Sequence, residues 1–339
     1  MKGIVCDAIG ELRFTDELPE PALTEGHVIV SIRRIGICGT DYHAFKGNQP
    51  FFHYPRILGH ELSGVVDQIG DNSEGLAPGD PVAIIPYLHC GRCVACRRGK
   101  TNCCTNMQVL GVHVDGGMRE RISVPVSHLL KADRLTFDEA AMVEPLAIGA
   151  HAVRRAEVAA SDTVLVIGSG PIGLAVMAFA KHAGAYVIAM DINEERLAFC
   201  KTWAKADQTI NTMEVDAKDR LSEWTNGEFP VAVFDATGNA GSMMKAFELV
   251  AHGGKLIFVG LVKGDISFSD PEFHKRELTL MGSRNATVSD FEHVMEVLGS
   301  RDLDISPFIT HRSSFDQMVD SFGSWLNPES KVMKAIVEL

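Results

Sequence analysis

The sequence predicts an α/β protein in which a β-rich domain is split by an inserted, doubly wound parallel-sheet domain. Three observations carry this. Residues up to about 145 are rich in short β-type runs punctuated by Gly, Pro and Asp. From about Ala147 the texture changes to apolar strands alternating with amphipathic helices, the pattern of successive βαβ units. The last residues, KVMKAIVEL, return to a strand that would close the first domain. A chain of 339 residues is also too long for one ordinary core. The expected boundaries are therefore 1–146 with 286–339 for the β-rich domain and 147–285 for the insert.

In order, HVIVSIRRIGI (27–37), LSGVVDQIG (62–70) and DPVAIIPY (80–87) read as strands of an irregular, barrel-like antiparallel unit. VLVIG (164–168), a helix over 171–182, YVIAMD (186–191) and a helix over 194–205 then read as βαβ units. VAVFDATG (231–238) and KLIFVG (255–260) supply further strands, with Gly253 and Gly254 turning the chain before the second. Thr163 to Ala180 carries no charge and is about long enough to cross a bilayer. Gly168, Gly170, Pro171 and Gly173 interrupt its middle, so strand–turn–helix is the better reading.

With 46% hydrophobic and 22% charged residues, the chain has the composition of a soluble globular protein. A net charge of −12 argues against nucleic acid or an anionic membrane as partner, because phosphate-binding surfaces are basic. Eight cysteines and a start, MKGIVCDAIG, without a long apolar stretch suggest a reducing compartment, hence the cytoplasm.

Within 88–106 the cysteines read Cys90-x2-Cys93-x2-Cys96-x7-Cys104. Four thiolates so spaced can close a tetrahedron around one zinc ion and leave no position for substrate, which makes the site structural. Cys104 fits the spacing better than Cys103, although an exchange of the two stays open.

Gly168-Ser-Gly170-Pro171-Ile172-Gly173 follows a strand and opens a helix, and a second strand ends in Asp191. In that context the glycines suit a dinucleotide: one makes the tight turn, one lets the pyrophosphate reach the backbone, and one lets helix and strand pack closely. The pyrophosphate would sit at the helix N-terminus, where Pro171 costs no hydrogen bond. Asp191 would bind the ribose hydroxyls and repel the extra phosphate of NADP, which favours NAD. It could instead cap the helix that begins at about Glu194. Ile172 and Arg196 are counted with this cofactor set.

A second, incomplete set of metal ligands is Cys38 in GICGTDYH, His60 in LGHE and Glu144 in VEPLA. Thiolate, imidazole and carboxylate form a normal set for a zinc that keeps one position open to substrate. Glu144 lies in an apolar run, where a carboxylate is costly unless paired or metal-bound. Glu61 is a rival ligand beside His60, whereas Cys6 and Cys200 read as core packing.

Over its whole length the chain resembles the medium-chain, zinc-dependent alcohol and polyol dehydrogenases. The carrying features are Cys38-Gly-Thr40-Asp41, Gly59-His60-Glu61, the four-cysteine lobe, the glycine loop and Glu144-Pro145. The resemblance implies a GroES-like catalytic domain, a Rossmann domain, and homodimers or homotetramers. It matches Cys38 and His60 to catalytic zinc ligands with a Glu completing the set, Asp41 to an acid that orients His60, and Thr40 and His43 to a proton relay. Thr237, Gly238, Val259 and Leu261 fall where that family meets the nicotinamide. The plain alcohol-dehydrogenase branch has Cys where this chain has Glu144, so the polyol, threonine and sugar-acid branches are nearer. NQPFF, GVHVDGG, FSDPEFHK and MGSRNAT resemble bacterial dehydrogenases of hexonic acids such as L-galactonate. The expected substrate is thus a hexonate oxidised at a secondary hydroxyl, with sorbitol-like polyols and L-threonine as alternatives. His113, the stretch 48–54, Lys263, His274, Arg284 and Asn285 are the candidate substrate contacts.

Two rival classes are weaker. A zinc-ribbon module for nucleic acid is suggested by Arg92, Arg97, Arg98 and Lys100 around the cysteines, but the acidic total opposes it. A non-catalytic NAD-binding protein would have no need of an open zinc position.

Overall fold

His27–Ile37 is the longest strand and the organising one of the first unit. The structure, a computed structural model, describes residues 1–48, 52–72 and 74–339. His27–Ile37 pairs antiparallel with Glu61–Ile69 along one edge and with Lys334–Glu338 and Arg121–Pro125 along other stretches. The sheet continues through Pro81–Ile84 to Leu129–Lys131, and through Lys334–Glu338 to Ile309–Ser314. In register, Gly36 stands opposite Glu61, and Ile37 opposite Ala335. A smaller sheet orders Glu11–Thr15, Gly3–Ala8 and Arg56–Ile57.

The core of this unit is formed by the inward positions of these strands, Val28, Val30, Ile32 and Ile35 among them, closed by Phe315, Met318, Phe322 and Trp325. Phe322 is fully buried with Tyr42 and Phe45 against its ring, at 5.0 and 5.3 Å between centroids. Burial of such a side chain is worth about 1.5–3 kcal/mol. The helix Gly39–Phe45 is thereby fastened by its apolar face to the end of the chain.

The second unit is a six-stranded parallel sheet. Its order across the sheet is Gln208–Asn211, Tyr186–Asp191, Thr163–Ile167, Ala232–Asp235, Lys255–Phe258 and Thr279–Gly282. Sequence order reverses at Thr163–Ile167, and ligands of such sheets bind beyond the carboxyl ends of the strands at that point. The strands are nearly continuous runs of Val, Ile and Leu because helices cover both faces. Thr163–Ala180 is indeed strand, glycine turn and helix, Thr163–Ile167 followed by Pro171–His182. Among the described residues no helix is long and apolar enough to cross a membrane.

By contacts the chain divides into Met1–Glu144 with Thr287–Leu339, and Pro145–Ala286. The helix Phe137–Ala156 carries the chain from one to the other. One expected element is shorter than its sequence suggests. The helix expected over 194–205 is Glu194–Thr202, because Lys205 adopts a φ of 57° that no helix continues through.

Candidate functional site

Cys38 ends the strand His27–Ile37 and is the N-cap of the helix Gly39–Phe45, with extended backbone at φ −100° and ψ 157°. Its N–H donates to Asp41 Oδ2 at 2.9 Å. Asp41 Oδ1 in turn accepts from Gly59 N–H at 3.4 Å and lies 3.8 Å from His60 Nδ1. One buried carboxylate thus ties the segment carrying Cys38 to the segment carrying His60. Ligand atoms of Cys38, His60 and Glu61 all lie within 4.8 Å of one another.

His60 is buried, which by itself disfavours a charged imidazole. Asp41, Cys38 and Glu144 around it outweigh that cost and push its pKa well above the ordinary value. The pocket is built to accept positive charge. Glu144, buried on the helix Phe137–Ala156, has its pKa pushed up to about 7 by burial, with Glu61 adding to the effect. Tyr87 donates its hydroxyl to Glu144 Oε1, while Oε2 is buried with no hydrogen-bond partner. An orphaned carboxylate oxygen beside a thiol and an imidazole fits a metal ion, and thiolate, imidazole and carboxylate are a zinc set.

Glu61 differs. Both its oxygens accept from Lys334 Nζ, at 2.6 and 2.8 Å, and both side chains are buried. Thr40 and His43 lie three residues apart on the helix Gly39–Phe45, hence on neighbouring positions of one face, Thr40 half-buried and His43 exposed.

The four lobe cysteines also gather, with all four Sγ atoms within 4.8 Å of one another. A tetrahedron with zinc–sulfur distances of about 2.3 Å has edges of about 3.8 Å, so the group fits one zinc. Backbone N–H groups of Cys96 and Thr105 pull the Cys93 thiol down to about 5, while burial and neighbouring sulfurs push Cys96 up to about 12. Thiols so close cannot all ionise without a cation among them. Cys104 joins the group and Cys103 is exposed outside it. The short strands Tyr87–Leu88 and Gln108–Val109 pair across the base of the lobe.

In the second unit a cleft of about 1170 Å³ opens over the carboxyl ends of the strands. Gly168, Gly170, Asp191, Arg196 and Thr237 line it. Gly168 has a φ of 96°, and a Cβ on Gly173 would stand 1.8 Å from the Gly168 carbonyl oxygen, so both positions demand glycine. At Gly170 the nearest atom to a Cβ is Arg196 Nη1 at 3.9 Å, which leaves the backbone open to an anion beneath a guanidinium. Pro171 is the first residue of the helix Pro171–His182, with Ile172 in the same turn.

Asp191 is not the cap of the next helix; Asn193 is, accepting from Arg196 N–H at 3.0 Å. Asp191 instead accepts from the N–H groups of Ser169, Ile192 and Asn193, at 2.6, 2.7 and 3.0 Å. The carboxylate is locked at the strand end by three backbone N–H groups. Gly238 packs on the backbone of Leu261, 3.0 Å from its oxygen to a built Cβ, and Leu261 is 76% exposed. Val259 donates to the Asp235 carbonyl at 2.9 Å. These three do not line the cleft with the others.

His113 belongs to the first unit and its Nδ1 accepts from Val109 N–H at 3.0 Å. Lys263, His274, Arg284 and Asn285 belong to the second, where the first three are exposed and Asn285 holds a φ of 51°. Residues 49–51 of the candidate stretch 48–54 lie outside the described residues.

Sequence reasoning missed Tyr87 and Lys334 in the first unit and Asn239 and Ser242 in the second. Lys334 had a signal: it is the single charge in the apolar run Val332–Val337, at a strand position that faces inward. Asn239 also had one, as the cap three residues before Ser242, whose N–H it accepts at 3.0 Å.

Two family models match the chain. Residues 24–134 match the alcohol dehydrogenase GroES-like domain and residues 171–300 the zinc-binding dehydrogenase domain. L-galactonate-5-dehydrogenase of Escherichia coli K12 is 42% identical over 99% of this chain and 98% of its own. Sorbitol dehydrogenase of Bacillus subtilis is 31% identical, over 99% of this chain and 97% of its own. Among solved structures, an alcohol dehydrogenase of E. coli CFT073 in complex with NADH matches at a TM-score of 0.92 and 30% identity, covering 100% of this chain and 99% of that one. The chain belongs to the zinc-type, medium-chain alcohol dehydrogenase family, on the polyol and sugar-acid side of it. It is a dehydrogenase with zinc and NAD as cofactors, acting on a small molecule.

Proposed function

We propose that this enzyme oxidises a secondary hydroxyl of a hexonic acid of the L-galactonate kind. The observation that carries this reading is the 42% identity, end to end, to an L-galactonate-5-dehydrogenase, against 31% to a sorbitol dehydrogenase. The donor set is compatible with it: buried Glu144, where the plain alcohol dehydrogenases have a sulfur, keeps one oxygen unpartnered, as the polyol, threonine and sugar-acid branches would require.

Cys38, His60 and a carboxylate would hold the catalytic zinc, and Cys90, Cys93, Cys96 and Cys104 the structural one. When bound, zinc supplies Lewis acidity at the substrate oxygen and NAD supplies the hydride acceptor. Asp41 Oδ1, 3.8 Å from His60 Nδ1, would orient the imidazole, as a carboxylate behind a metal-bound imidazole does. Tyr87 holds Glu144 by one oxygen and leaves the other available. The Thr40 hydroxyl would accept the proton of the reacting alcohol as it releases its own onward, and exposed His43, one turn on, would receive the relayed proton and give it to water. Asp191 and Arg196, which line the cleft, would hold the adenosine ribose and the pyrophosphate. A homodimer or homotetramer in the cytoplasm is part of this reading. The assembly, not the compartment, is supported by the edge strand Thr279–Gly282, which exposes Leu280, since natural sheets cover such edges.

The test is NADH formation, by absorbance, across hexonates, polyols, threonine and simple alcohols, with and without a zinc chelator. Chelator-sensitive turnover on a hexonate is expected. Turnover only on polyols would move the enzyme to the sorbitol side. Thr40→Val should lower turnover about 100-fold with both zincs retained; near-normal turnover across pH would remove the relay.

A further inference from the structure

The acidic total of the chain conceals a sharp division of charge within its first unit. Between Asp80 and Asp115 the sequence has no Asp or Glu, and the cysteine lobe in that stretch carries Arg92, Arg97, Arg98 and Lys100. All four are exposed, and none pairs with a carboxylate among the described residues. A zinc held by four thiolates leaves two negative charges over, fewer than the cations around it. Arg97 donates to the Arg92 carbonyl and Arg98 is the C-cap of the helix Val94–Arg97, so the three guanidinium groups share one small knob. Residues three and four apart on a helix are neighbours, which places Val94, 56% exposed, beside Arg97 and Arg98.

Residues 14–32 show the opposite pattern and contain no Lys or Arg. Asp16, Glu17, Glu20 and Glu25 are exposed there, on the connection between the strands Glu11–Thr15 and His27–Ile37. Glu20 has partners in the amino terminus and Arg121, whereas Asp16, Glu17 and Glu25 have no ion pair among the described residues. Leu23, between Glu20 and Glu25, is 42% exposed. The connection is held in shape: Met1 and Leu18 exchange backbone hydrogen bonds at 2.8 and 3.1 Å, and Pro19 and Pro21 fix their own φ. The unit thus presents two preformed surfaces, each with an exposed apolar residue among charges of one sign.

We propose that the cysteine lobe is a docking knob for a second copy of this chain, its Arg92, Arg97, Arg98 and Lys100 seated on the segment Asp16–Glu25 of the other copy, with Val94 and Leu23 at the centre. This rests on the reading of the enzyme as an assembly of copies and is independent of its substrate. It is also separate from the edge strand Thr279–Gly282, which belongs to the second unit. Two copies at a net charge of −12 repel, but at physiological salt that field is screened beyond about 8 Å, so charges in contact decide. Guanidinium forks match carboxylates two bonds at a time. Zinc makes the knob rigid before it docks, so little order is lost on contact. An apolar centre inside a charged rim is the general plan of such interfaces. Reciprocal use of the two surfaces closes the pair about a twofold axis. Nucleic acid, the other polyanion for a basic knob, is the poorer fit, because residues 88–106 include no Phe, Tyr or Trp to stack on bases.

The experiment is the mass of the zinc-loaded, full-length enzyme by sedimentation velocity over a range of concentrations. Arg97→Glu with Arg98→Glu should weaken association about 100-fold, so that the particle falls to half the parent mass where the parent is assembled. Asp16→Lys with Glu17→Lys, on the other surface, should do the same. All four changes together should restore the parent mass, because the reversed charges again meet their opposites. Parent mass in either double variant would overturn the proposal, as would a fourfold variant that keeps both zincs and stays apart. Should the arginine changes cost the lobe its zinc, the Asp16 and Glu17 pair, on its own segment, decides alone. A parent enzyme that is monomeric at every concentration sinks the assembly reading itself. Binding of a nucleic-acid oligonucleotide at physiological salt, with the mass indifferent to both reversals, would assign the knob to nucleic acid and overturn the docking of copies.

Discussion

The thiols of the lobe come from residues 90–104, whereas the groups gathered at the open site come from positions 38, 60 and 61, with Glu144 proposed to join them and Tyr87 and Lys334 paired to the two carboxylates. The lobe closes on itself with short loops, which cost little chain entropy, and its sulfurs accept from N–H groups of their own turns. Cys90 and Asn106 donate to Cys104 Sγ at 3.3 Å each, and Cys96 to Cys93 Sγ at 3.5 Å. In the open site the carboxylates are steadied by other side chains, Glu144 by Tyr87 and Glu61 by Lys334, and Asp41 lies 3.8 Å behind His60. A cluster built from one stretch of chain can serve stability alone. A cluster drawn from distant strands can leave one position vacant on purpose, because the surrounding sheet, not the metal, holds it together.

The comparison predicts separable damage. Cys38→Ser should remove one of two zincs and cut turnover by about three orders of magnitude or more, the worth of several kcal/mol of lost charge stabilisation. Its thermal midpoint should barely move, because the strands around it stay packed. A midpoint falling as far as that of a lobe variant would break the comparison. Cys96→Ser is the reciprocal case. It should also cost one zinc, but lower the midpoint by about 10 °C, as loss of several kcal/mol would in a protein of this size.

A third test addresses the ground beneath the lobe. His128 is buried, lies tilted against the His89 ring at 5.1 Å between centroids, and donates through Nε2 to the Tyr87 carbonyl at 3.2 Å. Burial, reinforced by His89, lowers its pKa to about 4. Because the folded value lies below the unfolded one of about 6.5, its contribution is fully present above pH 6.5 and is lost as pH falls through 4. That is about 3 kcal/mol of acid sensitivity. Denaturant unfolding across that window should show it, and His128→Asn should flatten it. The smallest effect belongs to a residue outside both regions. Asp191→Ala should raise the KM for NAD about tenfold by removing hydrogen bonds to a charged acceptor, and leave the zinc count at two. Loss of zinc in that variant would mean that the two units are less independent than their separate cores suggest.

What could be read from the sequence follows the same division. The lobe was legible because its ligands are neighbours in the chain, so spacing alone sets their geometry. The nucleotide fold was legible for a related reason: each βαβ unit writes its period and its glycines locally. Cys38, His60, Glu61 and Glu144 were suggested by residue type, but the pairing of Glu61 with Lys334, some 270 positions away, was not. No periodicity reports a strand register of that span. Asp191 was ambiguous between ribose contact and helix cap because both roles ask for the same acid; Asn193, two residues on, takes the cap. Tyr87 was invisible as a site residue, since a tyrosine at a strand end is ordinary core until its hydroxyl finds a buried carboxylate.

The strand Lys334–Glu338 has one further consequence, for the order of events during synthesis. It pairs with His27–Ile37 and brings the ammonium that sets the charge around Glu61. On the ribosome, Cys38 and His60 emerge early, and the whole of Pro145–Ala286 is complete before Lys334 is made. At translation rates of about 5–20 residues per second the interval is a few seconds. Through it the Glu61 carboxylate stands without its buried ammonium partner. A polypeptide released before that strand would carry a finished nucleotide-binding unit and an unfinished metal centre, and would bind cofactor without reacting.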